Sequence, residues 1–276
     1  MTLHGGPGAG HDYLESLEAL AENRTVVYYD QLGCGRSDRP DDPSLWKMER
    51  FVDEVDTVRR ALGLEHVHLL GQSWGGWLAI EYMLSGARGV LGLVLASTSA
   101  SISQFVTEAE RLKAALPPEV YETLRRYEDA GELHHPDYED AVMEFYRRHL
   151  CRLDPWPDPL VRSVENLDGN QVYETINGLN EFFAIGNLKD WNRAPRRDTG
   201  ADAGDRRALR RDHTGLCEDA PSRHTWFKDE GFRRERARCA PGRDRSLRRS
   251  GGRFPGAGRG GRCYVKHCIG DSRSTR

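Results

Sequence analysis

The pentapeptide Gly71-Gln72-Ser73-Trp74-Gly75 limits what this chain can fold into more than any other feature. The run His66-Val67-His68-Leu69-Leu70 precedes it, and an Ala-, Leu- and Ile-bearing stretch from Gly75 to Leu84 follows it. The first reads as a buried strand and the second as a helix. Joining them over so few residues demands a tight strand-to-helix turn. Small residues at 71 and 75 leave room for that turn, and Ser73 at its apex is held in a strained backbone conformation. Its hydroxyl then stands at a helix N-terminus, where the dipole and free N–H groups favour developing negative charge. A G-x-S-x-G pattern alone is common. Strand before and helix after make Ser73 a candidate nucleophile.

The surroundings of this turn read as layers of strand and helix. Thr25-Val26-Val27-Tyr28-Tyr29 is a short β-branched and aromatic strand, and a glycine-punctuated loop, Asp30 to Ser37, follows it. Met48 to Leu62 places Phe51, Val55, Val58 and Leu62 on one helical face. Gly89 to Leu95 is nearly all apolar, which fits a central parallel strand covered on both faces. Strand, helix, strand, helix, strand in this order predicts an α/β fold with a doubly wound, mostly parallel sheet. From about Ile102 the periodicity is helical only, with candidate helices at Phe105–Ala115, Pro118–Ala130, Asp137–Cys151 and near Val172–Asn177. Such a block after a strand reads as a helical cap inserted over the sheet. The expected division is a core over 1–101, a cap over 102–191 and a tail over 192–276.

The tail differs in kind from the rest. It holds about twenty arginines, so the formal net charge of -3 hides an acidic front and a basic back. Large apolar side chains are too few there to offset the entropy of ordering, so the tail is expected to be disordered. Arginine density alone does not make a nucleic-acid site. Aromatic interleaving is thin, and no nucleic-acid partner is expected. No apolar run is long enough to span a bilayer, so no membrane partner is expected either. Met1 runs directly into Thr2-Leu3-His4-Gly5 without a signal peptide, and the six cysteines match no zinc pattern. A cytoplasmic, cofactor-free and metal-free protein is the expectation.

A second motif lies upstream. His4-Gly5-Gly6-Pro7-Gly8 follows what looks like a strand end at Met1-Thr2-Leu3. Its glycines let the backbone turn and aim an N–H at the group the serine would attack. Taken together, His4-Gly5-Gly6-Pro7-Gly8, Asp30-Gln31-Leu32-Gly33-Cys34-Gly35-Arg36-Ser37 and Gly71-Gln72-Ser73-Trp74-Gly75-Gly76 resemble the proline iminopeptidase family of α/β-hydrolases. Glu144-Phe145-Tyr146 to Asn187-Leu188-Lys189-Asp190-Trp191 resembles the branch of tricorn-interacting aminopeptidases. The resemblance covers residues 1 to about 191. It implies release of N-terminal residues from short peptides or amino-acid amides through an acyl-enzyme on Ser73. It also implies an oxyanion hole from the N–H groups of Gly6 and Trp74. Glu181, in Asn180-Glu181-Phe182, matches the cap glutamate that binds the substrate's amino group. An ester- or small-amide-cleaving α/β-hydrolase is the alternative, and Glu181 discriminates, since an esterase has no use for an ammonium anchor. His4 and His11 are not expected to act as base, because in this fold the base comes last in the chain, after the acid. His4 is expected to order its own loop. His66 and His68 read as structural, and His134-His135 is weak evidence for metal.

The chain departs from the family after about residue 191. His213, His224 and His267 sit among arginines, without the apolar strands that precede the family's acid and base, so neither is assignable. Terminal strands and a closing helix are missing, which leaves the sheet incomplete on its C-terminal side, with an apolar edge. Codons permitted for residues 201–214, read one nucleotide out of register, can encode PTLVTAGRYDEITP, a strand followed by the family's acid loop. A like treatment of Gly231 to Cys239 can give a strand and a Glu-Ser-Ala-His loop. A frame shift near Trp191–Arg193 is the expectation, and a catalytically dead product is its consequence. The family has further strands ahead of the glycine-proline loop, which leaves an upstream start open.

Overall fold

The computed structural model describes residues 1–178, 180–182, 184–194, 252–253 and 262–268. The serine turn is anchored by three parallel strands: β1 (Thr2–Leu3), β3 (Val67–Gln72) and β4 (Val90–Ala96), in the order β1-β3-β4. Thr2 pairs with Leu70 and Leu3 with Gly71, so β1 ends beside the start of the turn. A second group has the order β2-β6-β5, from β2 (Val26–Asp30), β5 (Gly252–Arg253) and β6 (Arg262–Cys268). The Thr2 hydroxyl donates to the Val27 carbonyl (3.4 Å), which brings β2 alongside β1.

Helices cover this framework. In α1 (Met48–Ala61), Phe51, Val55 and Val58 are buried at the expected spacing and join Leu3, Val27, Tyr29 and Leu69 in the main core. α2 (Trp74–Leu84) is apolar nearly all round and is buried through Trp74, Trp77, Leu78 and Tyr82. A 3₁₀ segment, Asp12–Glu22, carries the chain from the glycine-proline loop towards β2. The helices α3 (Ile102–Lys113), α4 (Pro118–Ala130), α5 (Pro136–His149), α6 (Asp158–Glu165) and α7 (Gln171–Ile176) follow β4. They hold a core of their own around Leu124, Tyr127, Tyr138 and Phe145. Helix boundaries follow local chemistry. Ser101 caps α3 by accepting from the Gln104 N–H, proline at the first position opens α4 and α5, and Gly131 ends α4 in the left-handed conformation. The His135 ring also accepts from the Asp137 N–H (3.2 Å), which gives it a capping role at α5.

Two expectations need correction. Among the described residues β4 is an edge strand rather than a central one covered on both faces, which is the apolar edge expected from an incomplete sheet. Leu91 is 62 % exposed and Val94 52 %, and no described strand pairs with its outer side. Apolar composition cannot tell a covered strand from one whose neighbours are absent. The second concerns the tail. For 195–251, 254–261 and 269–276 the expected disorder lies outside the described residues. At 262–268, however, the chain is extended and pairs antiparallel with β2, from Val26 opposite Cys268 to Asp30 opposite Tyr264. Val265 is buried in the main core, and Lys266 bridges to Glu15 (3.0 Å) and Glu18 (2.5 Å). The edge of β2 supplies main-chain partners and the acidic 3₁₀ segment supplies charge, so pairing here does not need an apolar run.

Candidate active site

Ser73 stands between β3 and α2 with φ 52° and ψ -120°, at the N-cap of the helix. A non-glycine residue there is strained, and the tight packing of the turn enforces it. A Cβ on Gly75 would lie 2.0 Å from the Leu3 carbonyl oxygen, and one on Gly71 would lie 2.3 Å from the Gly75 carbonyl oxygen. The turn therefore closes only because both positions lack a side chain. Beyond it, the N–H groups of Gly76 and Trp77 bond the Ser73 carbonyl (2.8 and 3.3 Å) and start the helix. Among the described residues, no histidine or carboxylate bonds the Ser73 hydroxyl. His213 and His224 lie outside the described residues, and of His267 only the strand backbone is described.

A cavity of about 150 Å³ opens over this turn. Gly6, Tyr13, Gln72, Ser73, His149 and Glu181 all line it, so it joins the glycine-proline loop, the serine turn and the helical block. The structure thus brings together Ser73, Gly6 and Glu181. Trp74 is the first residue of α2; its side chain is fully buried, and its Nε1 donates to Gln31 Oε1 (2.7 Å).

Glu181 is set by a short polar turn after α7. The Asn180 side chain accepts from the Phe182 N–H (2.9 Å) and donates to the Tyr138 hydroxyl (2.8 Å), while Phe182 packs edge-on against Phe145 at 4.8 Å. Burial pushes the Glu181 carboxyl up to about 7, against which the Tyr173 hydroxyl, donating to Oε1 at 3.1 Å, pulls down. The carboxylate is held in a largely apolar wall with no cation beside it among the described residues. Such a group gains most from a ligand that brings its own positive charge.

His4 is fully buried, and burial lowers its affinity for a proton. Its Nε2 accepts from the Gln31 N–H (3.1 Å), so Nδ1 carries the hydrogen and donates to the Gly5 carbonyl (2.7 Å). Both ring nitrogens are thus committed to ordering its own loop, as the sequence led one to expect. His11 lies against Asp30, whose carboxylate accepts from the His11 N–H (2.8 Å), His11 Nδ1 (2.7 Å) and the Arg36 N–H (2.9 Å). Burial alone would raise Asp30; the bonds and charge of His11 outweigh it and hold the carboxyl low. This dyad ties the glycine-proline loop to the loop after β2.

Sequence reasoning missed Tyr13, Gln72 and His149. His149 is the one histidine on the cavity wall among the described residues; its ring packs on Phe145 at 4.7 Å, and burial, with Arg152 and Arg148, lowers its affinity for a proton. No pattern marks a lone tyrosine or the last residue of an amphipathic helix as a cavity residue.

A family model described as "alpha/beta hydrolase fold" matches residues 1–202. The chain belongs to the α/β-hydrolase fold family. Within it, the chain falls among the proline iminopeptidases. It is 42% identical over 194 residues to the proline iminopeptidase of Saccharolobus solfataricus, covering 70% of this chain and 63% of that one. It is 40% identical over 194 residues to that of Thermoplasma volcanium, covering 70% and 65%. Among solved structures, the proline iminopeptidase of Mycobacterium smegmatis matches at 43% identity with a TM-score of 0.65, over 69% of this chain and 66% of that one. The structure of VinJ matches at 41% identity with a TM-score of 0.66, over 69% and 66%. The chain thus spans somewhat less than two thirds of the length of these two curated relatives. For an α/β-hydrolase the triad order is serine, acid, histidine. Any acid and base this chain supplies in that order come after Ser73, and the described residues assign neither.

Proposed function

We propose that this α/β-hydrolase is a proline iminopeptidase-like serine aminopeptidase acting on short peptides or amino-acid amides. The observation that carries the reading is one cavity shared by Ser73, Gly6 and Glu181. Ser73 is the nucleophile, and the N–H groups of Gly6 and Trp74 take the developing oxyanion. Glu181 pairs with the substrate's terminal ammonium, so cleavage is confined to the first residue. Residues 102–191 act as the cap that brings Glu181 over Ser73. The site works in the cytoplasm, in keeping with the free thiols of Cys34 and Cys151, and among the described residues no helix is long and apolar enough to cross a membrane.

Hydrolysis of proline β-naphthylamide and p-nitrophenyl acetate, compared between the protein with its frame restored after Trp191 and the Glu181→Ala variant of that protein, tests this. Selective loss of the arylamide supports the aminopeptidase. Equal retention of both substrates supports the ester- or small-amide-cleaving alternative and removes the ammonium anchor.

We also propose that the reading frame shifts near Trp191–Arg193. Family similarity ends at residue 202, and the first of the out-of-register peptides begins at residue 201. Sequencing the gene across these codons decides it. One intact frame whose alternative lacks PTLVTAGRYDEITP overturns the proposal.

A further inference from the structure

The donors of an oxyanion hole must be aimed before the reaction begins, because misplacement by a fraction of a hydrogen-bond length forfeits much of the stabilisation. Glycine loops are poor at holding an aim, having no side chains to pack. Gly6 has φ +123° and is flanked by Gly5, so something outside the loop must fix the peptide that carries its N–H.

The fixing groups converge on Gly5. The Tyr13 hydroxyl accepts from the Gly5 N–H at 2.6 Å and donates to Gln72 Oε1 at 2.5 Å. On the other side, His4 Nδ1 donates to the Gly5 carbonyl at 2.7 Å. That carbonyl and the Gly6 N–H belong to one peptide plane, so a bond to the oxygen sets where the N–H points. Drawing electron density towards that oxygen also strengthens the N–H as a donor. Among the described residues no acceptor takes the Gly6 N–H, which leaves it available to a ligand.

The contacts close into a ring. Gln72 precedes Ser73, and Ser73 precedes Trp74. Trp74 Nε1 donates to Gln31 Oε1 (2.7 Å), Gln31 Nε2 donates to the His4 carbonyl (3.0 Å), and His4 returns to Gly5. Tyr13 is the member that spans from the glycine loop to the serine turn by side chain alone. It is itself seated from the helical block: its N–H donates to the Ser163 hydroxyl on α6 at 3.1 Å.

We propose that Tyr13 is the positioning residue of the oxyanion hole, pinning the His4–Gly5 peptide, which adjoins the one carrying the Gly6 N–H, against the residue before the nucleophile. The inference rests on the hydrolase reading above. Tyr13 donates nothing to the reacting atoms; its hydroxyl is occupied on both sides. It acts by holding Gly6 in register with Ser73, and through Ser163 it makes that register depend on the seating of the helical block.

The test uses the hydrolysis that remains without a working triad. Oxyanion hole and binding alone leave on the order of 10³–10⁴-fold acceleration over water. The rate on p-nitrophenyl acetate is measured for buffer alone, for the full chain, for Tyr13→Phe and for Gln72→Leu, with a thermal melt of each protein. Tyr13→Phe keeps the ring and its packing and removes the hydroxyl. Outright loss of an oxyanion donor lowers kcat by about 10²–10³; loosening one lowers it by about tenfold, with KM held within about twofold. Gln72→Leu, which frees the hydroxyl's other end, lowers kcat in the same direction by less. If Tyr13→Phe does not fold, Gln72→Leu carries the decision. An unchanged kcat in whichever variant folds overturns the proposal and leaves the hydrolase reading standing. So does a rise in KM at constant kcat, which would make Tyr13 a wall of the binding site. A full chain no faster than the uncatalysed reaction in buffer removes the hydrolase reading itself, and this inference with it.

Discussion

Glu181→Gln in the proposed ammonium site gives the most discriminating measurement. The carboxyl is raised from 4.5 to about 7, chiefly by burial, so ionising it in the empty cavity is disfavoured by roughly 3 kcal/mol. Below that value the cavity holds a neutral acid, which has little to offer an ammonium. Affinity for an amino-acid amide should therefore weaken about tenfold for each pH unit below 7. The ligand's own α-amino group loses its proton near pH 8, so binding should be strongest between about 7 and 8. Glutamine keeps the shape and an acceptor for the Tyr173 hydroxyl but removes the charge. Loss of one partner of a buried charged pair is worth about 2–5 kcal/mol, which is about 30-fold or more in affinity near pH 7.5. Calorimetric titration with prolinamide across about pH 5.5–8.5 reads both effects, with N-acetylprolinamide as the uncharged control. The variant should lose the acid limb and most of its preference for the amine. Wild-type binding that is flat between about pH 5.5 and 7, or a variant that keeps the limb, would refute the reasoning.

The same residue makes a stability prediction of opposite sign. A carboxyl whose value is raised on folding gives the native state extra protons between pH 4.5 and about 7, so unfolding free energy falls as pH climbs through that window. Without ligand, Glu181→Gln should melt higher than wild type at pH 8 and no higher at pH 4; a lower melt at pH 8 contradicts this. Gly75→Ala places a Cβ 2.0 Å from the Leu3 carbonyl oxygen, so it should yield no cooperatively melting protein in a calorimetric scan. Trp74→Phe removes the 2.7 Å bond to Gln31 Oε1 and leaves a buried acceptor, which urea unfolding should register as a loss of about 1–3 kcal/mol. Deleting residues 262–276 strips β2 of its partner, and hydrogen exchange should accelerate at Val26–Asp30, with unchanged exchange counting against the pairing. Val94→Lys puts a charge on the exposed apolar edge of β4 and should reduce self-association in sedimentation.

Much of the fold is legible in the sequence because its signals are local. The apolar stripe of Met48–Ala61 and the proline and glycine that bracket Pro118–Ala130 specify their helices without reference to the rest. The serine turn is legible for the same reason, since strand, small residues and helix are contiguous. Features that depend on distant partners are not. β4 reads as central because burial is a property of neighbours, and β6 is invisible because its order comes from the free edge of β2 and from Glu15 and Glu18. The 3₁₀ segment at Asp12–Glu22 and the eight-residue α6 are equally silent as patterns, although Arg162 joins them by bonding Asp12 (3.1 Å) and Glu15 (3.1 Å). Glu181 is a lone acid in a polar turn; only resemblance singles it out, and only the cavity gives its carboxyl an unusual environment.

This division between local and distant information runs through the site itself. Every bond in the ring from Gly5 through Tyr13, Gln72, Trp74, Gln31 and His4 joins residues within the first 74 positions. The strand β1, the turn after β3 and the loop after β2 bring them together, and none of these contacts depends on an acid or a base. On the proposed reading, carbonyl polarisation is therefore built into the front of the chain, while proton transfer must be supplied by residues much further along. A lesion confined to the later residues would remove the base and leave the donors aimed. Turnover would then fall steeply, whereas affinity for an amine-bearing amide, held by Glu181 and the Gly6 N–H, would persist. Binding without efficient turnover is thus the behaviour this arrangement produces when its distant half fails, and the prolinamide titration above measures that binding directly.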